Sequence, residues 1–268
     1  MLKKIFSVII NVILILIPFF PVLENFFPKV DHTNFSSYLL GCAMVSLLML
    51  GLVFLLRLDK NAQPKLFGAT WLFFALGIIV MVPLHMGAPK KGVELLQSAT
   101  EEKVRYAMLL LAIVLFAVGT IAALKPFWKS LKPIGKAILF PLGIAVLIAI
   151  WDNADSLMFS AKLIKWIDSG KNVNDFFQNY NFHQVWRAIG RMLLYVNAAW
   201  LSVVLYKQAI FKKWIAVGLT IFCLIGVGFC IAFLVVSPAF YFPFMVPALA
   251  MAPSYWIGIA LLNTTAKH

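Results

Sequence analysis

Residues 213–236 read KWIAVGLTIFCLIGVGFCIAFLVV, and no charged side chain follows Lys213 in this run. At a helical rise of about 1.5 Å per residue it spans roughly 35 Å, enough to cross a hydrocarbon core of about 30 Å. Working outward, similar stretches lie near 5–23, 38–57, 67–86, 104–124, 135–152, 186–206 and 240–262. Runs of about 20 apolar residues are read as membrane helices, because a spanning backbone must satisfy its own polar groups. The expected fold is all-α: one polytopic bundle of about eight transmembrane helices over residues 1–268, a single transmembrane domain.

Composition agrees. The 268-residue chain is 63% hydrophobic and 12% charged, about half the charge of an ordinary soluble domain. No polar segment is long enough to hold a soluble domain. The first stretch resembles a signal peptide, with Lys3 and Lys4 before an apolar core. Phe19-Phe20-Pro21 follows instead of a small-residue cleavage site, so it reads as an uncleaved span.

The net charge of +13 sits between apolar spans and points to orientation rather than to nucleic acid. With the N-terminus inside, thirteen Lys and Arg fall on the inner side with Asp59 as the only acid. The outer side holds ten bases and nine acids. Three short basic connections, 57–65, 125–136 and 207–213, share the inner side, as the positive-inside rule expects. Both chain ends are therefore expected in the cytoplasm, and a bacterial inner membrane is the expected location.

The widest outer connection runs from about Asn153 to Val185. Within it, residues 155–168 (DSLMFSAKLIKWID) have the spacing of a short amphipathic helix lying in the outer interface. Ser98 and Glu101 have the spacing of a capping box ahead of the fourth span. Gly119/Ala123, Gly228/Ala232 and Ala250/Ser254/Gly258 have the four-residue spacing of close helix contacts, and the last group is a candidate oligomer seam. Pro243, Pro247 and Pro253 are expected to kink or break the last span. Cys42, Cys223 and Cys230 read as small packing residues.

Candidate chemistry lies at the span ends. No Lys, His, Asp or Glu stands at mid-span, which argues against a Schiff-base lysine, paired haem ligation or a buried carboxylate relay. The deep polar residues are neutral, Asn197 being the costliest to leave unpaired, and a bond to a neighbouring helix is expected there. Glu101-Glu102-Lys103-Val104-Arg105 departs from the paired-glutamate pattern of intramembrane CAAX-type proteases, whose arginine follows the second glutamate by four rather than three. No nucleophile–base motif, and no cofactor-binding motif, is present.

Ionisable residues collect where spans five and six leave the membrane: Asp152, Asp155, Arg187 and Arg191. Arg187, Arg191 and Tyr195 share a helix face, with Arg191 about 6 Å deeper than Arg187. Two readings stand at this point. The arginines snorkel to lipid phosphates, the commoner arrangement at span ends. Alternatively, Arg187, Arg191, Asp152, Asp155 and Tyr195 form an outward-facing site for an anionic group, since arginine forks suit carboxylate and phosphate oxygens. His32, His85 and His183 fall on the same side, but a metal site would need them assembled from three separate loops. The expected partners are the lipid bilayer, a lipid or small-solute ligand, and other membrane subunits or further copies of the chain. The functions in view are binding or transport, a non-catalytic subunit of a membrane complex, and an enzyme acting on a lipid or envelope precursor.

Overall fold

Apolar sequence of this length folds as helices that hydrogen-bond along their own axes and bury their small-residue faces against each other. The computed structural model describes residues 2–17, 35–58, 64–86, 89–176, 181–236 and 247–264, and all regular structure among them is helical. The principal helices are α1 (Leu2–Leu16), α2 (Phe35–Leu58), α3 (Phe67–His85), α4 (Ala99–Leu124), α5 (Leu139–Leu157), α6 (Phe159–Asp168), α7 (Asn181–Lys207), α8 (Lys213–Val235) and α9 (Pro247–Leu262). Six stretches are long and apolar enough to cross a membrane: α2, α3, α4, α7, α8 and a run from Pro133 that includes α5. The described parts of α1 and α9 are shorter, 15 and 16 residues. Pro18, Pro21 and Pro243, the sequence reasons for interruption there, lie outside the described residues. Pro247 opens α9, where its missing N–H costs nothing, and Pro253 lies inside it.

The centre of the bundle is α9, buried along most of its described length. It packs against α3 and α7. Its small-residue seam is filled from within the chain. A Cβ on Gly258 would stand 2.9 Å from the Phe73 Cβ of α3, and one on Gly77 of α3 would stand 2.3 Å from the Tyr255 ring. The candidate oligomer seam is thus occupied by α3. Gly119 likewise meets Phe73. Gly228 meets nothing within 4 Å, and the close approach of α8 to α7 is made at Gly226, against the Tyr195 ring at 2.6 Å. Spacing by four identifies small residues but not the side of the helix that is partnered.

Polar bonds attach α1 to this centre. Asn11 and Asn263 exchange side-chain amide bonds at 3.1 and 2.6 Å. The Tyr255 hydroxyl donates to the Leu14 carbonyl at 3.0 Å, and the Trp256 indole donates to that of Ile15. Other neutral polar residues turn back on their own helices. Ser46, Thr70, Thr120 and Ser202 each donate to the carbonyl four residues earlier. Asn197 does the same with Leu193, and among the described residues it makes no bond to a neighbouring helix.

At the end carrying the long connection, a small cap covers α4, α5 and α7. The short helix Val93–Gln97, α6 and a turn at Val173–Asp175 enclose Leu95, Phe159, Leu163 and Phe176. Gly92, at φ +57° and ψ −139°, leads the chain into Val93–Gln97 through a conformation that suits glycine. The amphipathic helix begins at Phe159 rather than 155 and buries Phe159 and Leu163, while Ile164 stays half-exposed. Residues 153–157 instead extend α5 past its expected end at 152. No capping box forms: the Ser98 hydroxyl donates to the Glu94 carbonyl at 2.7 Å.

Candidate functional site: a buried charge cluster between α5 and α7

Helix α7 starts at Asn181, five residues before the expected span. That extension lifts His183 out of the loop and places it one turn above Arg187. His183, Arg187, Arg191 and Tyr195 then follow one another at four-residue intervals along a single face. Helix α5 continues through Asp152, Asp155 and Ser156, bringing a second polar face opposite the first.

The contacts are direct. Arg187 donates from Nε to Asp152 Oδ1 at 2.6 Å and from Nη2 to Ser156 Oγ at 2.8 Å. Its guanidinium also lies over the Phe159 ring at 5.8 Å. Lys162 of α6 pairs with Asp155. The two nitrogens of His183 face two different carboxylates. Nδ1 is 3.6 Å from Asp152 Oδ1, and Nε2 is 3.3 Å from Asp155 Oδ2. The imidazole stacks on Trp151 with 4.4 Å between centroids and 10° between planes, and meets the Phe159 ring on another side. Aromatic walls of this kind exclude water and strengthen every charge interaction between them.

Arg191 differs from its neighbours. It is 6% exposed, and its Nη1 reaches no hydrogen-bond partner among the described residues. No ion pair to it forms among them. Asp152 is within electrostatic reach of Arg191, but its direct bond goes to Arg187, with His183 beside it. Tyr195, the fifth residue of the expected set, is fully buried in the α7–α8 contact with its ring against Gly226.

A second buried charge pair lies nearby, and there every group is satisfied. Glu102 and Arg105 of α4 are each 4% exposed and pair at 3.0 Å. Arg105 also donates to the carbonyls of Pro83 and Met86 at 3.3 and 3.1 Å, and Glu102 accepts from the Lys90 amide at 3.3 Å. The pair caps the C-terminal end of α3, where carbonyls lack helical partners and a cation is favoured. Its role is structural: it ties Pro83, Met86 and Lys90 to α4.

Of the histidines grouped as candidate metal ligands, the structure places only the His183 side chain. His32 lies outside the described residues, and His85 is described by its backbone at the end of α3. No group of three metal-ligating side chains converges among the described residues. Sequence reasoning left Ser156, Lys162 and His183 out of the arginine site. The usable signal for His183 was its four-residue interval to Arg187. No family model, curated protein or solved structure matches the chain.

Proposed function

We propose that this protein binds, and carries across the membrane, a small anionic solute or the anionic headgroup of a lipid, with Arg191 as the principal contact and Arg187 beside it. The observation that carries this reading is the buried guanidinium of Arg191, whose Nη1 has no hydrogen-bond partner among the described residues. A charge removed from water costs several kcal/mol unless paired, and membrane arginines are ordinarily paired or led to the surface. Three cations (Lys162, Arg187 and Arg191) stand against two carboxylates, both of which are engaged. The charge needed to complete the cluster is negative, and an arginine fork suits carboxylate, sulfate and phosphate oxygens.

In this reading the chain makes eight spans with both ends in the cytoplasm, and the cluster opens to the outer face. Helix contacts support the alternation: 77 of α3 meets 255 of α9 while 73 meets 258, and 190 of α7 meets 148 of α5. The occupied Gly258 seam leaves the subunit reading without its main sequence argument.

The test is a sulfate titration of the purified protein in detergent, with dihexanoyl phosphatidylglycerol as the lipid probe, followed by calorimetry and native mass spectrometry. Saturable binding that weakens at least tenfold in Arg191→Gln, with the thermal unfolding midpoint retained, is expected. Preference between the two probes distinguishes solute from headgroup. Equal binding of both probes by wild type and Arg191→Gln would remove the proposal.

A further inference from the structure

Resting on the anion-site reading above, we infer that a proton is a second ligand of this cluster: His183 takes one up as the anion settles against Arg191, so anion binding is proton-coupled. A neutral imidazole carries one N–H and one lone pair. Both His183 nitrogens face carboxylate oxygens, at 3.6 and 3.3 Å. At these distances and angles both contacts are electrostatic rather than hydrogen-bonded. A proton on the ring sets a positive charge beside both carboxylates at once, which each of them favours.

Several groups face His183 among the described residues. Helix α5 contributes Asp152, Asp155 and the stacked Trp151; α6 contributes Phe159, and Lys162 through Asp155; α7 itself contributes Arg187. Behind Phe159 stands Tyr106 of α4. The buried Glu102–Arg105 pair lies on the same helix, its charges matched to each other.

Coupling runs through Asp152. This carboxylate is shared by Arg187 and His183, one turn and two turns above Arg191 on α7. With His183 neutral, Asp152 is held by Arg187 alone and its remaining negative field repels an anion arriving at Arg191. With His183 protonated, that field is compensated from above. The anion and the proton therefore favour each other, and linkage requires the effect to be reciprocal.

Sulfate is the probe, because its charge stays constant between pH 5.5 and pH 8, here the two conditions of the experiment. Wild-type protein should bind sulfate roughly 5- to 100-fold more tightly at the lower pH, the ordinary range of such couplings. In weakly buffered solution near neutrality, sulfate should draw protons onto the protein, read with a soluble indicator dye. Arg191→Gln should abolish that uptake. His183→Gln should bind sulfate with equal affinity at both pH values. The uptake measured on wild type alone keeps the test decisive if His183→Gln fails to fold. Arg191-dependent binding that is equally tight at both pH values, with no proton uptake, would overturn the coupling and leave the anion site standing. Absence of saturable binding at either pH would overturn the site itself.

Discussion

Replacing each buried arginine by methionine distinguishes a charge that holds the fold from one that waits for a ligand. Arg105→Met removes one member of a pair in which both side chains are 4% exposed. It leaves Glu102 buried without its cation, and takes a donor each from the Pro83 and Met86 carbonyls. Breaking a satisfied buried pair costs about 3–5 kcal/mol. Arg191→Met removes a guanidinium whose Nη1 has no partner. The unbranched thioether fills much of the same space without a charge to desolvate. Exchanging a buried ion for a well-packed apolar side chain is neutral or stabilising, by about 1–4 kcal/mol in favourable cases. The two variants should therefore move in different directions. Reversible unfolding of the purified protein by SDS titration in mixed micelles, followed by far-ultraviolet circular dichroism, measures both. Arg105→Met should unfold at a clearly lower SDS fraction, and Arg191→Met at the wild-type fraction or above. Destabilisation of Arg191→Met as large as that of Arg105→Met would mean that a protein group already pairs with Arg191, and the case for an anion would fail.

Two further predictions concern packing and orientation. Gly226→Ala should cost about 1–3 kcal/mol by pressing into Tyr195, whereas Gly228→Ala, with nothing within 4 Å, should stay within about 0.5 kcal/mol of wild type in the same titration; equal costs would refute the assigned α7–α8 contact. A cysteine introduced at the exposed Asn174 should react with an impermeant maleimide added outside intact cells, while a reporter fused after Lys267 should read cytoplasmic; the reverse pattern would invert the site's orientation.

The candidate site was half legible in the sequence. Asp152, Asp155, Arg187 and Arg191 stand out because ionisable residues are rare beside apolar spans, and the arginine spacing puts both on one face. His183 was hidden by its setting, since Asn179, Tyr180 and Asn181 read as loop while the helix begins at Asn181. Lys162 and Ser156 were hidden because their partners come from other helices. Glu102 and Arg105 share a face in sequence, but the carbonyls that Arg105 caps belong to α3 and become neighbours only when α3 and α4 pack.

What the sequence determined by itself is the all-helical class and the apolar stretches long enough to cross a membrane, because a lipid core imposes one requirement, unbroken apolar length, that any window along the chain can report. What only the tertiary structure decided is which faces meet. Rotational phase places Gly226 and not Gly228 in a contact, fills the Gly258 seam from α3, and spends the Arg105 guanidinium on the end of α3. It leaves Arg191 buried with Nη1 unbonded among the described residues. Hydropathy is nearly uniform around these helices, so it carries no record of phase. The phase is set by small side chains and polar bonds between helices distant in sequence.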